Sequence, residues 1–192
     1  MMPPLIILLG GTYGVGKTTV AHQLGVELNI LQRVAVAGIA ATIRTVIPDD
    51  DLARQWYHYD RSNPDQVRRK LLRESCLIGQ VIQSIVDSAT KTGENYIIDG
   101  VQLLPEFLPR EGVMQIILRV SDEAEHRRRY EQPTITRERH LTNVSFELAQ
   151  FVEQLILEAA FPWNTPILDN LGPPADTARR IRDLIEGHTR EG

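Results

Sequence analysis

Eight residues near the start of the chain, Gly11-Thr12-Tyr13-Gly14-Val15-Gly16-Lys17-Thr18, combine three glycines with a lysine and hydroxyl side chains. They satisfy the spacing G-x-x-x-x-G-K-[ST], with the apolar run Leu5–Leu9 before them and a helical pattern after, the context this spacing requires. Glycine lets the backbone wrap closely and turn its N–H groups onto a polyanion at the positive end of a helix. On this reading Gly11 through Thr19 cradle a nucleoside triphosphate, Lys17 reaches its β- and γ-phosphates, and the Thr18 hydroxyl ligates Mg2+. The alternative is a glycine-rich turn that binds nothing.

What happens to the phosphate depends on other residues. A GTPase would carry a base-reading N-K-x-D, which the chain lacks, and only 20 residues follow the D-x-x-G look-alike Asp169-Asn-Leu-Gly172. A motor-type ATPase would end a strand in two carboxylates, the second to activate water. Here Tyr96-Ile-Ile-Asp99-Gly100 offers one, followed by a glycine expected to leave open space before it. That pattern favours transfer to a bound hydroxyl, with Asp99 orienting the hydroxyl or a Mg2+-bound water.

A second constellation is Ser121-Asp-Glu-Ala-Glu-His-Arg127-Arg128-Arg129-Tyr130. Serine can cap such a helix, its acids lie in the first turn and its arginines in the last, and Glu123–Arg127 and Glu125–Arg129 are i,i+4 pairs. Composition alone describes a solvated, self-paired helix. Its place after the fourth strand suggests a lid, at about 121–143, whose Arg127 and Arg129 close on the transferring phosphate. Arg44, shortly after the second strand, is a candidate ligand for an acidic acceptor, because that sheet edge faces the phosphate loop. Arg137, with Arg139 and His140, could complete the lid or hold the acceptor, or form a plain exposed loop. Trp56, Tyr57 and Tyr59 near Arg61 could line a pocket but read mainly as a hydrophobic anchor for the helix that follows, and His22, His58 and His188 have no metal-site spacing.

These residues need a scaffold, and the chain alternates strand-like runs with helical patterns. Strands are expected at Leu5–Leu9, Val34–Gly38, Tyr96–Asp99, Met114–Val120 and Pro166–Leu168, giving a five-stranded parallel α/β sheet covered on both faces. Helices are expected over Lys17–Asn29, Ser121–Tyr130, Val144–Ala160 and Pro174–Glu186. The longest opens at Asn63-Pro64-Asp65-Gln66, with a capping asparagine and a first-turn proline, and runs to Gly93. Its apolar positions, Val67, Leu71, Leu77, Ile78, Val81, Ile82, Ile85 and Val86, read as core rather than site. No repeat or composition break divides the 192 residues, so one domain, 1–192, is expected.

Composition narrows the partners. A net charge of −4 argues against nucleic acid, whose binders carry broad basic surfaces. Cys76 is the only cysteine, which fits a reducing compartment. No basic residue precedes Lys17 and no apolar run reaches about 18 residues, so a signal peptide and a membrane span are not expected and a cytoplasmic setting is. Oligomeric state is not readable here.

The chain resembles the archaeal-type 2-phosphoglycerate kinases, within the shikimate-kinase-like and nucleotide-kinase-like P-loop group. The resemblance runs through GGTYGVGKTT, QVIQSIVDSATKTGENYIIDGVQLLP, SDEAEHRRRY and PILDN, over nearly the full length. It implies a three-layer α/β/α P-loop fold and ATP- and Mg2+-dependent phosphorylation of a small anionic acceptor. It further implies Lys17 and Thr18 on nucleotide and Mg2+, Arg127 and Arg129 as lid arginines, and Asp169-Asn170 where related kinases contact adenine. The chain departs from the family after the second strand, where Ala41 replaces an acidic residue. It departs again after the third, where Gln102 of Asp99-Gly-Val-Gln102 replaces a histidine. Both departures fall on the acceptor side. A nucleotide, sugar or antibiotic acceptor, or an ATP-binding regulator without transfer activity, stays open.

Overall fold

Every residue of Ile6–Gly10 is buried, although neighbouring side chains along a strand point to opposite faces. Such a strand must be covered on both sides, and it occupies the middle of the sheet. A computed structural model describes residues 3–49, 51, 63–132 and 145–190 of the chain. Its sheet is five-stranded, ordered β2-β3-β1-β4-β5, and every pairing is parallel. The strands are β1 Ile6–Gly10, β2 Gln32–Ala35, β3 Tyr96–Asp99, β4 Met114–Arg119 and β5 Ile167–Asp169.

Alternate β1 residues face different cores. Ile7 and Leu9 pack with Val20 and Leu24 of α1 (Lys17–Glu27) and with Ala178 and Ile181 of α6 (Pro174–Arg190). Ile6 and Leu8 face Ile78, Ile82 and Val86 of α3 (Pro64–Thr92). Ile117 of β4 meets Val152 and Ile156 of α5 (Phe146–Ala160). The result is the expected three-layer α/β/α arrangement.

The long helix is specified locally. Asn63 Oδ1 accepts from the Gln66 N–H at 3.1 Å, Pro64 opens the first turn, and the helix stops at Gly93. At 1.5 Å per residue its 29 residues span about 44 Å, whereas the four residues of β3 span only about 13 Å. The helix C-terminus connects directly to the start of β3, so the N-terminal half of α3 overhangs the edge where the strands end.

Several expected boundaries move. The second strand is Gln32–Ala35, and a helix not expected from the sequence, α2 Val36–Ile43, follows without a break. Val36 and Ala40, four apart, are the residues it buries, and the short apolar run there satisfies a strand period as well as a helical one. Helix α4, Glu123–Glu131, is capped by Asp122 Oδ1 accepting from the Glu125 N–H at 2.8 Å, not by Ser121. Ser121 instead donates through its N–H and its hydroxyl to Asp169 at the end of β5. Helix α1 ends two residues early and α6 runs on to Arg190. Trp56, Tyr57, His58, Tyr59, Arg61, Arg137, Arg139, His140, Val144 and most of the expected lid beyond α4 lie outside the described residues. Among the described residues, no helix is long and apolar enough to cross a membrane.

Candidate active site

The loop between β1 and α1 sits where the central strand ends, and Gly16 is the residue from which α1 starts. Gly11 has φ 136°, and a Cβ there would lie 2.3 Å from the Leu118 carbonyl oxygen; Gly16 has φ 87°, with the Asn170 amide nitrogen 2.7 Å from where a Cβ would stand. Neither position accepts a side chain.

Each stretch of the loop is tied to a different neighbour. The Thr12 hydroxyl donates to the Ala149 carbonyl of α5 at 2.6 Å. His126 of α4, 2% exposed, donates from Nε2 to the Tyr13 carbonyl at 2.7 Å, the donor assigned because a carbonyl can only accept. Asn170 donates from Nδ2 to the Val15 carbonyl at 2.9 Å and receives the Thr177 hydroxyl at 2.7 Å. The Lys17 ammonium donates to the Thr12 carbonyl at 2.6 Å. Carbonyls held this way are kept from turning toward an anion, which suits a nest of N–H groups. A loop whose Gly11 and Gly16 leave no room for a Cβ, and whose Tyr13 and Val15 carbonyls are held by His126 and Asn170 from outside it, fits a bound polyphosphate.

Asp99 ends β3 beside β1, its Cα in register with Leu9, and its Oδ2 accepts from the Thr18 hydroxyl at 2.8 Å. Two hard oxygen donors thus meet at the mouth of the loop, a set that fits Mg2+, which takes one or two protein ligands alongside phosphates. Among the described residues no group of three or more His, Cys, Asp or Glu could hold a metal alone. The space expected beside Gly100 is filled, because a Cβ there would meet the Val36 side chain at 2.4 Å. That glycine admits α2 against the sheet rather than opening room before the carboxylate.

The α4 arginines are all engaged. Arg129 donates to the Asn170 carbonyl at 2.6 Å, the Leu171 carbonyl at 2.9 Å and Glu125 at 2.6 Å, spanning from α4 to the segment after β5. Arg128 grips Glu125 through two bonds of 2.7 Å. Hydrogen bonds from Arg128 and then Arg129 hold the Glu125 carboxyl down at about 2. Arg127 lies over the Phe146 ring, 4.2 Å from its centre, with Glu147, Glu123 and Glu131 at 3.6–3.8 Å. Asn170, expected near adenine, uses both ends of its amide within the protein. On α5, burial pushes the Glu153 carboxyl up, against the pull of His126 and Arg119.

Arg44 stands at the C-terminal end of α2, close enough to Lys70 to act on it electrostatically. Lys70, Glu74 and Ser75 of α3 are buried with Gln102, whose amide donates to Glu74 Oε2 at 3.0 Å. The helix face expected to be core therefore carries a polar segment. The signal was present in the sequence: Val67, Lys70, Leu71, Glu74, Ser75 and Ile78 form one helical stripe, with two opposite charges inside it. His126 and Thr177 were likewise missed, because bracing a loop leaves no sequence spacing.

Known proteins resemble this chain in sequence or in fold. A 2-phosphoglycerate kinase from Pyrococcus horikoshii is 25% identical over 200 residues, covering 97% of this chain; the chain spans 66% of that relative's length, just under two thirds. A gluconokinase from Sinorhizobium meliloti superposes with a TM-score of 0.59 at 15% identity, covering 100% of this chain and 99% of its own. A shikimate kinase from Acinetobacter baumannii, solved with shikimate, gives 0.55 at 17% identity, covering 97% of this chain and 95% of its own. These superpositions share the fold. The family profile described as the AAA domain matches residues 7–149, a span that takes in the phosphate loop, Asp99, the buried α3 stripe and α4, and the chain belongs to that family.

Proposed function

We propose that the chain is an ATP-dependent kinase that moves the γ-phosphoryl group of ATP onto a hydroxyl of a small acidic metabolite, 2-phosphoglycerate-like in the favoured case. The Thr18–Asp99 hydrogen bond carries this reading, because it ties the phosphate loop to a single strand-end carboxylate rather than to the acidic pair of a hydrolase. The curated relatives' name and the kinase titles of the structural neighbours support it.

On this reading residues 11–19 hold the triphosphate, with Lys17 offsetting charge on the β- and γ-phosphates. Thr18 and Asp99 are the residues that would hold Mg2+, which when bound would supply further neutralisation of phosphate charge. In the transfer, the bond from the γ-phosphorus to the bridging oxygen breaks with its electron pair staying on ADP, a bond to the acceptor oxygen forms, and the hydroxyl proton is released to water. Asp99 is the candidate to orient that hydroxyl through its other oxygen, Oδ1. The transition state spreads charge over oxygens, so positioning and cationic contacts do most of the catalysis. Arg127 and Arg129 are the candidates to close on the phosphoryl group, and Arg44 with Arg137 to hold the acceptor. Asn170 serves the nucleotide by bracing Val15. A small soluble acceptor and a lone thiol fit a cytoplasmic setting.

The test is ADP formation by the purified chain with ATP and Mg2+ across hydroxy acids, their phosphate esters, neutral sugars and nucleosides. Acid-dependent ADP release supports the proposal. Release only with a neutral acceptor moves the activity to another substrate class, and none with any acceptor removes the kinase reading.

A further inference from the structure

Behind the phosphate loop lies a cluster of charged side chains that the binding of a nucleotide does not use directly. Ile117 of β4 faces α5, while Leu118 and Leu168 face α1 and α6. Side chains alternate along a strand, so Arg119 and Asp169, in register at the ends of β4 and β5, both turn to the α5 side. On α5, Phe146, Ala149 and Glu153 fall on one helical face at i, i+3 and i+7. That face supports two consecutive loop residues. Ala149 accepts the Thr12 hydroxyl, and Phe146 packs edge-on against His126, ring centres 5.1 Å apart, while His126 donates to the Tyr13 carbonyl at 2.7 Å.

Glu153 stands one turn beyond Ala149. Among the described residues its Oε1 is buried and accepts no hydrogen bond, and both carboxylate oxygens of Asp169 are taken by Ser121. Burial pushes the Glu153 carboxyl up, His126 and then Arg119 pull it down, and Asp169 pushes it up, so Glu153 interacts with the residue that holds Tyr13. A carboxylate oxygen buried without a donor costs stability, and packing alone would favour an apolar side chain on a face shared with Ala149 and Ile156. A charge kept against that cost calls for a task. A carboxylate facing an imidazole polarises the ring N–H and makes it a stronger donor. The Tyr13 carbonyl and the Gly14 N–H belong to one planar trans peptide, so holding the carbonyl toward His126 turns that N–H the other way.

We propose that Glu153 is a positioning residue for nucleotide binding: acting through His126, it strengthens the hold on the Tyr13 carbonyl and so keeps the Gly14 N–H aimed at the phosphates. The inference rests on the kinase reading for the identity of the nucleotide, and it deepens that reading by extending the donor site to a carboxylate that does not touch the ligand. Thr12 and Tyr13 are then braced by the same face of α5, the first by a backbone carbonyl and the second through an imidazole.

The test is a double-mutant cycle on MgATP affinity, measured by calorimetry with no acceptor present. Glu153→Gln keeps the volume and removes the charge, and His126→Gln keeps an N–H donor and removes the ring. Each single variant should weaken MgATP binding about threefold, the order of the gain that charge assistance gives a hydrogen bond. The double variant should also lose about threefold rather than about ninefold, because both changes cut one connection. Glu153→Asp, which keeps the charge, should recover part of the loss. The Tm of Glu153→Gln should be no lower than that of the wild type, since an amide costs less to bury than a carboxylate. An additive loss in the double variant, or wild-type affinity in Glu153→Gln, overturns the positioning role. A wild type that binds no MgATP overturns it together with the phosphate-loop reading. Binding that obeys the cycle, without ADP release on any acceptor, removes the kinase reading and leaves the positioning role standing.

Discussion

On the donor side of the crevice the groups offered to a ligand are mostly backbone, fixed from outside by Ala149, His126 and Asn170. On the α3 side the polar groups are side chains, set into a helix face that is otherwise core and linked through Glu74 and Gln102; the kinase reading gives this side to the acceptor. A polyphosphate presents the same charged shape in many contexts, and a glycine loop at a helix N-terminus meets it without side-chain choice. An acceptor differs from one enzyme to the next, so its recognition falls to side chains that can change while the helix and its packing remain. Donor-side variants should therefore alter ATP parameters, and acceptor-side variants should alter acceptor parameters, with Asp99 between them.

The largest expected effect is Lys17→Ala, which on the kinase reading removes a positive charge from the β- and γ-phosphates. Loss of one such electrostatic contact costs on the order of 10²–10³-fold in kcat, and ATP affinity should weaken with it while circular dichroism and Tm stay near wild type. Wild-type transfer and ATP affinity would remove the loop from the chemistry. Asp99→Asn is the next largest. An asparagine oxygen still accepts from Thr18, so the hydrogen bond of 2.8 Å can persist while the charge is lost. A capping role predicts little change; a functional one predicts a kcat fall of about 10²-fold or more at saturating Mg2+ and acceptor.

His126 tests whether the donor side owes its shape to neighbours. His126→Phe preserves packing against Phe146 but leaves the buried Tyr13 carbonyl without its donor, a loss of roughly 1–3 kcal/mol. If the bond holds the loop in its binding shape, the KM for ATP rises about tenfold and His126→Gln, which keeps an N–H donor, restores much of it. A fall in Tm with unchanged ATP KM in both variants would make His126 a packing residue only.

The same contrast governs what the sequence revealed. The phosphate-loop spacing, the Asn63 cap, β3 and the parallel character of the sheet were readable because each rests on a pattern within a short stretch of chain, whereas the strand order was not. Lys70 and Glu74 were passed over because the apolar period around them is strong enough to read through two charges. Helix α2 was missed because Val36-Ala-Gly-Ile-Ala-Ala fits a strand as well as a helix, and what decides between them is burial of Val36 against Gly100, a contact 64 residues apart in the chain. Ser121 loses the cap to Asp122 because Asp169, brought close by the β4–β5 pairing, takes its hydroxyl. These losses share a cause: the deciding partner lies on another element.

Smaller effects come from α4. Arg128 and Arg129 depress the Glu125 carboxyl from 4.5 to about 2, so the stabilisation it gives is present in full above about pH 4.5 and is lost as pH falls through 2. Wild type and Glu125→Gln should differ in Tm at neutral pH and converge in strong acid. A gap independent of pH would mean that the carboxylate's charge contributes nothing.

Arg127 should give the smallest change, and it decides whether α4 belongs to the donor side or only borders it. Its ion pairs of 3.6–3.8 Å lie at a surface where its side chain is 42% exposed, and such pairs are worth about 0–1 kcal/mol. Exchanging three weak partners for a phosphoryl group therefore costs little, which makes a lid role physically affordable. If Arg127 closes on the transferring group, Arg127→Ala lowers kcat several-fold with a smaller change in KM, because the lost contact belongs to the transition state. Arg127→Lys, which keeps the charge but not the flat contact on Phe146, should recover part of the loss. A surface role predicts instead a stability loss of about 0.2–0.5 kcal/mol for each helical pair and an unchanged kcat. That outcome would leave Arg129, already fastened to the segment that braces the loop, as the α4 arginine on the donor side.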